Sequence, residues 1–107
     1  MDDILLKNGI VIDGTGSPER IADVAIRDGR IAAVEKDYVG SAERVIDVHG
    51  RIVAPGFIDI HTHSDFRLPL NPKAECKIRQ GVTTEVGGNC GFSVAPALPD
   101  KVELLRD

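Results

Sequence analysis

Pro55-Gly56 divides this 107-residue chain into two stretches that follow different rules, and each rule allows few folds. Before it, short apolar runs are cut every few residues by turn pairs. Residues 4–7 end at Asn8-Gly9 and residues 10–12 resume the run; both positions of such a pair favour positive φ, which predicts a hairpin. DGTGSP, residues 13–18, is loop by its Asp, Gly and Pro content. In ADVAIRDGRIAAV, Val24 and Ile26 alternate with Asp23, Ala25 and Arg27, the period of a half-buried strand, and Asp28-Gly29 turns the chain back towards residues 31–34. A polar stretch, EKDYVGSAER, leads to RVIDV; His49-Gly50 turns again, and RIVA follows. These signals predict about six short strands and almost no helix before Pro55. That is the pattern of a small β-sandwich or partial barrel. Aromatic residues make up only 4% of the chain, with no Trp, so the core must rest on Ile, Val, Leu and Ala.

After Pro55-Gly56 the character changes. FIDIH, residues 57–61, is a continuous apolar run with one acid, as in a strand buried on both faces. Residues 64–72 read as loop. PKAECKIRQG, residues 72–81, reads as a short helix with Pro72 at its start and Gly81 just past its end. VTTEV, residues 82–86, is the next strand, and GGNCG, residues 87–91, a glycine-rich loop. Strand, helix, strand is a βαβ unit with parallel strands. A parallel sheet needs further strands and helices on its faces, and a (β/α)₈ barrel takes about 250 residues. The expected organisation is therefore a β-module over residues 1–56 and, over 57–107, the first unit of an incomplete (β/α)₈ barrel. The chain is expected to be the front end of a longer protein. The charged tail, 100–107, fits either a helix or a frayed end.

The net charge of −4, with no run of basic residues, argues against a nucleic-acid partner. No apolar stretch approaches the 18 residues of a membrane span, and MDDILLKNG lacks the layout of a secretory leader, so a cytoplasmic location is expected. Cys76 and Cys90 then read as free thiols or a metal ligand, not as a disulfide.

The chemistry gathers at FIDIHTHSD. In a strand, Asp59, His61 and His63 share one face, with Ile58 and Ile60 on the other. Two imidazoles at this spacing suit one divalent ion, at the strand end where α/β barrels place their sites. The plain reading, two half-exposed histidines at a strand end, fits an isolated HxH equally well; the third polar residue on that face and the βαβ setting weigh against it. Asp59 reads as a hydrogen-bonded support. Asp65 has two readings, as an orienting group for a histidine or the substrate end, or as a loop cap. Arg67 suits a substrate carboxylate and equally reads as a solvated loop residue. Cys90 offers a thiolate, a zinc ligand, on a loop whose glycines admit close approach; a small thiol packed under the loop is the alternative. Cys76 reads as a packing or surface thiol and His49 as a solvated turn residue.

PGFIDIHTHSD resembles the first barrel strand of the amidohydrolase superfamily, PGFIDxHxH. LLKNGIVIDGTG, ADVAIRDGRIAAV and VIDVHGRIVAPG are similar to the start of the β-domain these enzymes carry. KIRQGVTTEV followed by GNCGFS is similar to the D-aminoacylase branch, the N-acyl-D-amino-acid deacylases, with Gly88 where a bulkier residue is expected. The resemblance implies that His61, His63 and Cys90 are metal ligands for one or two Zn²⁺ ions. It implies an N-acyl-D-amino acid as substrate, with the general-base aspartate and further histidine ligands supplied by later barrel strands. The 107 residues alone are then expected to be inactive. An amidohydrolase acting on cyclic amides, of dihydropyrimidinase or dihydroorotase type, explains HTH equally well but not GNCGFS. A non-catalytic β binding module explains residues 1–54 but not the polar face of 57–63. Ile58 and Ile60, suited to a two-sided interior, also imply self-association of the chain where nothing else covers them.

Overall fold

The computed structural model describes residues 1–91, 93, 95, 96 and 98–100, so the expected tail lies, from 101 on, outside the described residues. These residues are mainly β, and they divide into two compact units, Met1–Pro55 and Gly56–Asp107. No helix among the described residues is long and apolar enough to cross a membrane.

The first unit is one five-stranded sheet. Its strands are β1 (Asp2–Val11), β2 (Arg20–Arg27), β3 (Arg30–Glu35), β4 (Ala42–Asp47) and β5 (Ile52–Val53). The order is β3-β2-β1-β4, and β5 also lies against β1. β1 to β3 form an antiparallel meander, whereas β4 and β5 run parallel to β1. Asp28 (φ 51°) and Gly29 (φ 69°) make the β2–β3 turn through two left-handed residues, as their sequence predicts. Gly50 (φ 72°) closes the turn between β4 and β5, where exposed His49 donates its N–H to Asp47 Oδ1 at 3.0 Å.

Asn8-Gly9 does not form the predicted hairpin. β1 runs straight through it, so five strands and not six precede Pro55. Asn8 takes the left-handed conformation (φ 62°) as a bulge, where the register against β2 shifts between Leu6 and Gly9. Its N–H is satisfied by Asp23 Oδ1 at 2.8 Å and its side-chain amide by Asp47 Oδ1 at 3.1 Å. The partner chain segment turns instead: Val48 N–H bonds to Lys7 O, and Ile10 N–H to Arg51 O, both at 2.9 Å. Gly9 is small for a different reason than turn geometry. A Cβ there would lie 2.6 Å from Val53 Cγ2 and 3.2 Å from Val48 Cγ2.

Val11, Ala22 and Val24 form a buried cluster with Leu6, Ile26, Val34 and Val53 packed against it, and Leu5 and Ala25 are also buried, an aliphatic core as composition requires. Burying a side chain the size of Leu5 contributes about 1.5–3 kcal/mol. Two buried acids are fully engaged. Asp2 accepts from Arg27 and from the Tyr38 hydroxyl, and Asp23 accepts the N–H groups of Asn8 and Tyr38. The Tyr38 hydroxyl is the main cause that holds Asp2 below the usual carboxylate range.

The second unit contains β6 (Phe57–Asp59), α1 (Glu75–Ile78) and β7 (Val82–Glu85). β6 and β7 are parallel neighbours, with Asp59 opposite Glu85, so the βαβ order is present. Two predicted elements are shorter than expected. The helix begins after Ala74, whose φ of 44° cannot continue a helix, so Pro72 stands outside it; Gly81 (φ 83°) follows its end as predicted. The strand stops at Asp59, because Asp59 Oδ1 accepts the His61 N–H at 3.1 Å and folds the chain into a bend. His61 and His63 therefore stand beyond the strand, not on one strand face with Asp59.

Candidate metal centre

The bend that ends β6 carries His61 and His63, and the glycine loop after β7 carries Cys90. Parallel pairing of β6 with β7 brings both segments to the same sheet end. His61 Nε2 lies 2.9 Å from Cys90 Sγ, and the two imidazole rings stand edge to face with centroids 5.6 Å apart. One donor atom from each of His61, His63 and Cys90 lies within 4.8 Å of the other two, and all three residues are exposed. Ligand atoms around a tetrahedral zinc stand about 3.3–3.8 Å apart. The separations in this set, from 2.9 Å to at most 4.8 Å, bracket that spacing, and two imidazoles with a thiolate are a zinc-type donor set. The residues present thus fit a metal ion.

Local bonds explain why the loops take these shapes. Cys90 adopts a left-handed φ of 54°, between Gly88 (φ 82°) and Gly91 (φ 78°). The Asn89 amide donates to Val86 O at 2.8 Å and to Ile60 O at 3.3 Å, tying the cysteine loop to the histidine segment. Asp65 Oδ1 accepts the Gly88 N–H at 3.0 Å, and a Cβ on Gly87 would come within 2.3 Å of that oxygen, so a larger residue there would displace the Asp65 carboxylate. Asp65 Oδ2 is buried without a hydrogen-bond partner among the described residues. Asp65 thus braces the cysteine loop. Arg67 is exposed at the end of the 3₁₀ turn Ser64–Phe66, and among the described residues no ion pair holds its guanidinium. Exposed Cys76 sits in α1, away from this donor set.

Asp59 is half-buried and points to a cation: its Oδ2 lies 2.5 Å from Lys77 Nζ. Lys77, and then the His61 N–H, hold its carboxyl below the usual range, while Asp59 in turn raises Lys77. Glu85 joins the same cation at 3.3 Å and accepts the Ser64 hydroxyl at 3.1 Å. Sequence reasoning singled out neither Lys77, Glu85, Thr62 nor Asn89. The one signal available was a lysine in the crossover between two strands that each carry an acid.

The pattern of the amidohydrolase family matches residues 44–102. An N-acyl-D-glutamate deacylase of Alcaligenes xylosoxydans xylosoxydans is 52% identical over 95 residues, 89% of this chain and 20% of that protein. A D-aminoacylase of the same organism is 50% identical over 109 residues, 98% of this chain and 22% of that protein. Among solved structures, an N-acyl-D-glutamate deacylase of Bordetella bronchiseptica, complexed with zinc and a phosphonate mimic of the tetrahedral intermediate, superimposes with a TM-score of 0.85. It is 47% identical, and the match covers 97% of this chain and 23% of that one. The chain thus spans about a fifth of the length of the curated relatives it matches. With the family pattern running through the βαβ unit and both loops of the donor set, this chain belongs to the amidohydrolase family.

Proposed function

We propose that residues 1–107 form the front part of a zinc-dependent enzyme that hydrolyses the amide bond of N-acyl-D-amino acids. The observation that carries this reading is the convergence of His61, His63 and Cys90 within 4.8 Å, in a chain half identical to D-amino-acid deacylases. These three residues hold the metal, as one or two zinc ions. When bound, zinc supplies Lewis acidity towards the acyl carbonyl and towards water. Asp59 and Asp65 support the ligand segments, and the role read for Arg67 is to meet a substrate carboxylate. As the family resemblance implies, the general base is an aspartate on a later barrel strand. Residues 1–56 act as part of a β-sandwich whose second layer comes from elsewhere in the protein. Residues 57–107 begin the (β/α)₈ hydrolase domain, and the protein works in the cytoplasm.

The test uses the full-length protein carrying this chain, assayed on N-acyl-D-amino acids, their L-enantiomers and cyclic amides. Release of free D-amino acid is expected, lost with zinc in the His61→Ala and Cys90→Ala variants. The purified 107-residue chain is expected to be inactive. Hydrolysis of cyclic amides with none of N-acyl-D-amino acids would assign the other amidohydrolase type instead.

A further inference from the structure

Resting on the reading of His61, His63 and Cys90 as ligands, we propose that Lys77 is a positioning residue, whose ammonium fixes the HTHS segment through two carboxylates. Lys77 Nζ lies 2.5 Å from Asp59 Oδ2 and 3.3 Å from Glu85 Oε1. Each acid grips one part of the segment. Asp59 uses its other oxygen to accept the His61 N–H at 3.1 Å. Glu85 Oε1 accepts the Ser64 hydroxyl at 3.1 Å and lies 3.5 Å from the hydroxyl of Thr62; the two hydroxyls are 2.8 Å apart. Thr62, between the two histidines, is buried. The backbone of the first histidine and the side chains on both sides of the second are thus tied to one cation in α1.

Physical chemistry says why the cation matters. Asp59 and Glu85 are direct partners in the parallel register of β6 and β7, so their charges repel without a counter-ion between them. Lys77 removes that repulsion and lets both oxygens stay turned towards the segment. Lys77, Asp59 and Glu85 are 27%, 26% and 15% exposed, so solvent still screens these pairs and their contribution to global stability is modest. What they supply is the orientation of the segment bearing two of the three ligands. Groups that orient metal ligands typically change metal affinity about 10–100-fold.

The experiment compares wild-type, K77M, K77R and H61A full-length protein after removal of metal. Zinc affinity is measured against a chromophoric chelator. The visible spectrum of the Co²⁺ form reports ligand geometry, with its thiolate charge-transfer band marking Cys90, and thermal melting of the metal-free protein reports stability. K77M is expected to weaken zinc binding about 10–100-fold and to alter the Co²⁺ spectrum, with little change in metal-free melting. K77R should recover most of the affinity. Wild-type affinity and spectrum in K77M, alongside their loss in H61A, would overturn the role of Lys77 and leave the ligand assignment standing. Zinc binding untouched by H61A would overturn the ligand assignment and the role of Lys77 with it. Should K77M fail to fold, S64A removes the 3.1 Å bond from Ser64 to Glu85, leaving only the 3.5 Å approach of Thr62, without touching either ion pair. A loss of about tenfold in affinity then supports the proposal, and an unchanged affinity overturns it.

Discussion

Asp13 shows how one side chain can set a pH dependence. Its Oδ1 accepts both the hydroxyl of Thr15, at 2.7 Å, and the Thr15 N–H, at 3.0 Å, while Oδ2 pairs with Arg20 at 2.9 Å. These contacts, the Thr15 hydroxyl first, lower its pKa from 3.8 to about 2. The folded value lies below the unfolded one. The stabilisation is therefore fully present above about pH 4 and is lost as pH falls towards about 2. Asp13→Asn keeps an acceptor for Thr15 but cannot titrate. Its melting temperature should fall less steeply than wild type between pH 4 and pH 2; parallel curves would remove Asp13 as a source of acid sensitivity. The loop around Asp13 was legible in DGTGSP, but its pairing with Arg20 was not, because composition does not say which charges meet. The same holds at the donor set. His61 and His63 announce themselves by spacing and Cys90 by its glycine loop. Lys77 and Glu85 are ordinary surface letters until β6 and β7 are paired.

At the scale of elements, β1 carries the clearest disagreement between local signal and tertiary context. Asn-Gly satisfies a two-residue hairpin and a bulge alike, since both need a left-handed residue. Nothing local shows that β4 and β5 will flank both halves of β1 in parallel, and that pairing decides the matter. Asp28-Gly29 met no such competition and formed the turn its sequence predicts. The bulge leads to a specific expectation for Gly9. An added methyl would stand 2.6 Å from Val53 Cγ2, and a β-branched side chain packed against the core has little room to move away. Gly9→Ala should destabilise the first unit by about 1–3 kcal/mol, the usual cost of overpacking. Asn8→Gly, which keeps the left-handed conformation but gives up the amide bond to Asp47, should cost less. Urea unfolding of both variants checks this order, and a Gly9→Ala variant as stable as wild type would mean that β5 yields. The shortened α1 has a similar origin: its ten-residue pattern looked helical throughout, but Ala74 turns left-handed and leaves only Glu75–Ile78.

For the whole molecule, the strand–helix–strand order after Pro55 could be read directly, but the two units differ in how far they supply their own interior. The first has five strands over a buried aliphatic cluster. Among the described residues the second has two short strands, and Phe57, Ile58 and Ile60 stay 65%, 63% and 72% exposed. A two-stranded sheet is marginal in water, and apolar surface of this kind calls for cover. Local stability should follow that difference. When the 107 residues are produced alone, hydrogen exchange should find the amides of β1 and β2 slow and those of β6 and β7 fast. In a polypeptide of its relatives' length, the β6 and β7 amides should slow by about a hundredfold or more, while β1 and β2 change little. Equal, strong protection of β6 in both would show that the βαβ unit is self-sufficient. The outcome bears on the metal centre, because the segments carrying His61, His63 and Cys90 hang from the ends of β6 and β7. If those strands open freely in the short chain, Lys77, Asp59 and Glu85 cannot hold the ligands in place. Zinc affinity should then rise in step with β6 protection once the remaining strands are present.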